Sequence, residues 1–144
     1  MIYLDPSVIF SLYGVDCNTP AAVSLIRNAS ESLVLTPFCE FETHNAFSFG
    51  LFRKTLSENE ATRLRKNFEL DLEASIYLRS QLPAGAFTVA KILAHKITPS
   101  VGVRAADLLH IAAALELGAK SLYTFDQRQH QAASAAGLVV NKLP

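Results

Sequence analysis

The sequence predicts an α/β fold around a central, mostly parallel sheet, and three observations carry that expectation. Short β-type runs, Ile2-Tyr3-Leu4, Leu33-Val34-Leu35 and Ser121-Leu122-Tyr123-Thr124, are separated by segments of helical composition. Helix start signals follow the strands directly, as at Thr36-Pro37, so the order reads strand, helix, strand, helix. The chain has 144 residues, half of them hydrophobic, with nine Phe and four Tyr, which supplies one core and excludes disorder as the main state. A single domain over residues 1–144 is expected.

The first run, Ile2-Tyr3-Leu4, is closed by Asp5-Pro6, a pair that resists continuation of a strand. Thr19-Pro20 then offers a capping residue and a first-turn proline to a helix running to about residue 26. The same device at Thr36-Pro37 opens a helix over residues 38–52. Ser57 and Glu60 form a capping-box match for a helix reaching residue 72 or beyond. The segment 76–82 is ambiguous. Pro83 can open a helix through residue 97, where Thr98-Pro99 is expected to stop it. A further helix over residues 105–117 ends at Gly118, and Gly137-Leu138-Val139-Val140 supplies a last strand.

Composition narrows the function classes. Thirteen basic and thirteen acidic residues give a net charge of zero, so no overall positive field holds nucleic acid or anionic lipid. Cys17 and Cys39 match neither a CxxC pair nor a metal-ligand spacing and read as reduced thiols of a cytoplasmic protein. The N-terminus has no basic leader and no apolar run reaches the length of a membrane span, which argues against secretion and membrane insertion.

Binding sites in parallel sheets form beyond the carboxyl ends of the strands, and two acids fall there, Asp5 and Asp126. Either alone also reads as a turn residue. At about 100° per residue Phe38, Phe41, Ala46, Phe49 and Phe52 share one stripe of their helix, and Glu42 projects from within it. That stripe is expected to face the core, so Glu42 needs a proton, a cationic partner or a metal, because an unpaired buried charge costs several kcal/mol. Glu40 points away from it beside His44, as a solvated i,i+4 pair. Asp107 lies early in a helix that is apolar almost all round, where it serves either the helix dipole, with Arg104 as a possible partner, or a site. His110, in the same neighbourhood, reads as hydrogen-bonded packing and stands outside the expected site. Four converging carboxylates would repel one another unless protons or cations compensate. Hard, oxygen-seeking Mg²⁺ or Mn²⁺ suits them better than zinc.

Met-Ile-Tyr-Leu-Asp5-Pro-Ser7-Val, Thr36-Pro37 followed by Glu42, Arg104-Ala-Ala-Asp107-Leu-Leu-His-Ile-Ala and Leu-Tyr-Thr124-Phe-Asp126 together resemble the PIN-domain family, and VapC-type toxins within it. The likeness spans nearly the whole chain, with Pro6 the main departure. It implies a three-layer α/β/α sandwich that cleaves RNA internally with Mg²⁺ or Mn²⁺ held by Asp5, Glu42, Asp107 and Asp126. Ser7 and Thr124 match the positions of supporting hydroxyls. The resemblance also implies an antitoxin partner and a homodimer.

For RNA contact the sequence offers residues 53–66, where Arg53, Lys54, Arg63, Arg65 and Lys66 oppose Glu58 and Glu60, and, more weakly, Arg128. The competing class is a non-catalytic interaction module, which would be expected to lack some of the acids. A haloacid-dehalogenase-type phosphatase would need a second Asp where Ser7 stands.

Overall fold

The computed structural model describes residues 1–144. In chain order the elements are β1 (Ile2–Leu4), α1 (Pro6–Tyr13), α2 (Thr19–Arg27), β2 (Leu33–Leu35), α3 (Pro37–Phe52), α4 (Glu58–Glu73), β3 (Leu78–Arg79), α5 (Ala86–Val101), α6 (Ala105–Glu116), β4 (Ser121–Tyr123), α7 (Gln127–Ala135) and β5 (Val139–Val140). The five strands pair in the order β3-β2-β1-β4-β5, and every neighbouring pair is parallel.

Strand alternation divides the core into two layers. Ile2, Leu4, Leu33 and Leu35 face α1, α3 and α4, meeting Val8, Ile9, Phe47, Leu64 and Phe68. Tyr3, Val34 and Leu122 face the opposite way, toward Leu93 and Ile97 of α5, Ile111 of α6 and Ala132 of α7. The sheet is thus the middle of three layers, as expected. β1 and β2 are buried on both faces, which is why they read as continuous apolar runs, while in β4 only Leu122 is fully buried.

Most helix boundaries follow the chemistry that announced them. Thr36 caps α3 by accepting the Cys39 N–H at 3.4 Å. The Ser57 box forms in both directions, with Glu60 N–H on Ser57 Oγ at 3.3 Å and Ser57 N–H on Glu60 Oε2 at 2.8 Å. Two helices were not expected. Asp5-Pro6 ends β1 and also starts α1, because Asp5 accepts the Ser7 N–H while Pro6 sits in the first turn, where its missing donor is harmless. Asp126 likewise caps α7 through the Gln129 N–H at 2.8 Å. At the second helix the cap is Asn18, and the Thr19 hydroxyl turns back to the Ser11 carbonyl at 2.9 Å.

Three further expectations need correction. Thr98-Pro99 does not stop α5, which runs on to Val101 and ends at Gly102, left-handed at φ 68°. Proline in the last turn removes a single intrahelical bond, and the Gly102 N–H closes the turn on the Thr98 carbonyl at 2.8 Å. The ambiguous stretch 76–82 contains the two-residue edge strand β3. On α3 the buried face is Cys39, Thr43, Phe47 and Gly50, whereas Phe41, Phe49 and Phe52 are 65%, 46% and 78% exposed. Counting the largest side chains misassigned the face. A single Phe47 fills the layer between α3 and its neighbours, and Leu56 presses on Gly50 so closely that a Cβ there would stand 2.6 Å from it.

Candidate functional site

The strand order reverses its direction of growth between β1 and β4, so a crevice forms beyond their carboxyl ends. Asp5 leaves β1 and Asp126 follows β4 at this point. Asp5 is almost fully buried. Its Oδ2 accepts three hydrogens: the Ser7 N–H at 2.9 Å, a short bond from the Ser7 hydroxyl, and the Thr124 hydroxyl at 3.2 Å. Both hydroxyls are themselves aimed from behind, Ser7 Oγ by the Phe125 N–H at 2.9 Å and Thr124 Oγ1 by the Asp126 N–H at 3.0 Å. Thr124 N–H in turn rests on Asn141 Oδ1 at 2.8 Å. Pro6, the sequence departure, leaves this turn intact.

Asp107 stands in the first turn of α6, where its Oδ2 accepts the Arg104 backbone N–H at 3.3 Å. The expected side-chain pair with Arg104 does not form. The Asp107 carboxyl is pushed up to about 6, first by burial and then by the charges of Asp126 and Asp5, against smaller downward pulls from the Arg104 N–H and His110. That shift is the electrostatic signature of three carboxylates brought into one neighbourhood. Asp126 is solvent-exposed, with Oδ1 committed to the Gln129 N–H.

Glu42 lies on the flank of α3, its side chain 29% exposed, and its Oε2 stands 2.6 Å from His110 Nε2. The cationic or protonic partner that a core-flanking carboxylate requires is therefore an imidazole. Sequence reading left His110 outside the site. Its signal was its spacing, one helical turn after Asp107 and thus on the same face of α6. Glu40 and His44 do not pair with each other, as had been expected. Glu40 takes a two-pronged bond from Arg79, at 2.8 Å to each oxygen, and His44 meets Glu69 at 2.7 Å. Long-range partners on β3 and α4 outcompete the i,i+4 neighbour.

A common pattern runs through the four acids. Each commits one oxygen to a donor of the protein, Asp5 Oδ2, Glu42 Oε2, Asp107 Oδ2 and Asp126 Oδ1, while the other oxygen has no such bond. Anchored carboxylates with a spare oxygen suit hard cations, which prefer oxygen ligands. In the positions they occupy, however, no three acidic, imidazole or thiol groups stand close enough to hold one ion. Each acid is instead held by its own anchor.

Sequence comparison agrees with this geometry: the PIN-domain profile matches residues 2–135. The chain belongs to the PIN-domain family. No curated protein sequence matches it significantly. Among solved structures, FitAcB from Neisseria gonorrhoeae is 20% identical with a TM-score of 0.69, covering 99% of this chain and 97% of that one. VapC20 from Mycobacterium tuberculosis is 16% identical with a TM-score of 0.65, covering 96% and 97%. VapBC2 from Rickettsia felis is 16% identical with a TM-score of 0.66, covering both chains fully, at 100% each.

A groove of about 690 Å³ opens beside the acids of this PIN domain, lined among others by Ser7, Phe49, Arg53, Arg104, Phe125 and Asp126. Arg53 lies over the Phe49 ring at 4.4 Å, and the exposed Phe49 and Phe52 stack at 5.7 Å. Within the basic segment 53–66, Arg65 turns to Ser48 Oγ at 3.0 Å. Arg128 is exposed in the first turn of α7. Cys39 is buried and Cys17 exposed, both as free thiols. No helix is long and apolar enough to cross a membrane.

Proposed function

We propose that this PIN-domain protein is a divalent-metal-dependent endoribonuclease acting on RNA phosphodiester bonds, and that it is the toxin of a toxin-antitoxin pair in the cytoplasm. The observation that carries the reading is the arrangement of carboxylate oxygens, with Asp5, Asp107 and Asp126 by the β1–β4 switch point and Glu42 on α3 each keeping one oxygen anchored and one free. The proteins of similar fold lend support: VapC20 is described as a toxin cleaving the sarcin-ricin loop, and VapBC2 as bound to a DNA fragment from its promoter.

In this reading the free oxygens of Asp5, Glu42, Asp107 and Asp126 hold Mg²⁺ or Mn²⁺. The cation, when bound, supplies Lewis acidity toward the phosphate and a nucleophile at neutral pH. The chain's own contribution is orientation. Ser7 and Thr124 fix the rotamer of Asp5, and the α6 and α7 first turns fix Asp107 and Asp126. Arg53 and Arg104 line the groove and would meet phosphates of an RNA strand entering it, and Arg128 is exposed two residues after Asp126. An antitoxin covers this site and a second copy of the chain completes a homodimer.

Purified protein incubated with structured RNA and Mg²⁺ or Mn²⁺ should cut internally and stop when EDTA is added. Cutting that persists in excess EDTA contradicts the proposal. A chain that cuts no RNA yet binds a partner protein tightly is a non-catalytic interaction module instead.

A further inference from the structure

Behind Glu42 runs a buried polar chain that the proposed chemistry does not use directly. His110 Nδ1 stands 2.9 Å from the Tyr3 hydroxyl, and that hydroxyl 3.0 Å from Thr36 Oγ1, which accepts the Cys39 N–H. Tyr3, Thr36 and His110 are each 0% exposed. The four linked residues come from β1, the end of β2, α6 and α3, so the chain ties both faces of the sheet to one carboxylate.

Its direction follows from what each group can do. A carboxylate only accepts, so the hydrogen between Glu42 and His110 belongs to Nε2. In the neutral imidazole protonated on Nε2, Nδ1 accepts from the Tyr3 hydroxyl, whose oxygen then accepts from Thr36, whose oxygen accepts from the Cys39 N–H. Burial raises the Tyr3 phenol far above its ordinary value and keeps it a donor. Every hydrogen is used once, in one direction, and the only end open to solvent is Glu42. The imidazole is also held against rotation, with the Phe38 ring at 4.7 Å and the Tyr3 ring at 5.7 Å.

We infer that His110 is the positioning residue of Glu42, and that the Thr36–Tyr3–His110 chain sets the imidazole so that Glu42 Oε2 is held and Oε1 is presented to the cation. The inference rests on the metal-dependent nuclease reading and names one residue more for that site.

Mn²⁺ affinity, read from the electron paramagnetic resonance of the free ion, separates the two. Wild type should bind Mn²⁺, and His110→Leu should weaken it by roughly 10- to 100-fold, the usual consequence of losing the group that orients a ligand. His110→Gln, whose amide can donate where Nε2 did, should restore most of the affinity, and His110→Asn, whose amide stops short, should not. Adding Glu42→Gln to His110→Leu should cause little further loss, because both changes remove one unit. If His110→Leu binds like wild type while Glu42→Gln does not, the inference falls and the nuclease reading stands. If wild type binds no Mn²⁺, the nuclease reading falls and takes the inference with it. Should the leucine variant fail to fold, nitrogen NMR of the wild-type imidazole decides: a hydrogen on Nε2 alone is expected, and one on Nδ1 alone overturns the inference.

Discussion

At the β1–β4 corner, Asp5 is held by Ser7, two residues away, and by Thr124 on the adjacent strand end. At the β2–α3 corner, Glu42 is held by His110, 68 positions away, which is fixed by Tyr3 at a separation of 107. The first corner is a turn that carries its own donors. The second exists only once three layers have docked. The difference teaches that two carboxylates of one site can be positioned by unrelated means, one by local backbone geometry and one by a buried network, and that they should respond differently to mutation.

The largest expected effect separates ligand loss from fold loss. Asp5→Asn keeps the size of the side chain and should lower RNA cutting by at least about a thousandfold, several kcal/mol of transition-state stabilisation, with circular dichroism unchanged. Glu42→Gln should be the milder of the two, because the Glu42 side chain is more exposed than Asp5. A Glu42→Gln variant more damaged than Asp5→Asn would invert the comparison.

Ser7→Ala comes next. It removes the donor to Asp5 and strands the Phe125 N–H, so a thermal melt should show a loss of about 1–3 kcal/mol, with Mn²⁺ bound roughly 10- to 100-fold more weakly. Unchanged stability and affinity would mean that the turn holds Asp5 without its hydroxyl.

Asp107→Asn probes the electrostatics of the β1–β4 corner. Its carboxyl titrates near 6 in the fold against 3.8 when unperturbed, so the folded state binds more protons across that window. The contribution of this carboxyl to the stability of the metal-free protein is therefore fully present below about 3.8 and is lost as pH rises through about 6. Asp107→Asn should remove the decline and, above pH 7, be more stable than wild type by about 1 kcal/mol, after discounting the shift for partial exposure. Melting curves with identical pH profiles in both proteins would show that neither burial nor its neighbours shift the Asp107 carboxyl.

The smallest effect belongs to Arg128, exposed and away from both anchors. Arg128→Ala should weaken RNA binding a few-fold without sequence preference and lower the salt slope by about one, measured by fluorescence anisotropy.

The same contrast explains what could be read from sequence. Asp5-Pro6-Ser7 and Thr124-Phe-Asp126 are complete within a few residues, so their strand ends were legible in the chain itself, whereas Ser7 and Thr124 as supporting hydroxyls and the four acids as one set came from the family resemblance. The parallel order followed from alternating short strands and capped helices. What failed lay at long range or in size. Glu40 was assigned to His44 because β3, which brings Arg79, is two residues long and leaves almost no signal. The core face of α3 was assigned to its phenylalanines, although the packed layer there is filled by Phe47 beside small residues. His110 went unrecognised because its meaning depends on Tyr3 and Thr36, which only the sheet brings to it.

The central claim is that the free oxygens of these acids form one cation site. Crystals grown with Mn²⁺ and measured at the manganese absorption edge test it most directly. An anomalous peak about 2.1 Å from Asp5 Oδ1 and bonded to at least one of Asp107 and Asp126 is the predicted result. Crystals soaked in millimolar Mn²⁺ that show no peak at the β1–β4 switch point, or a peak elsewhere only, would contradict the account.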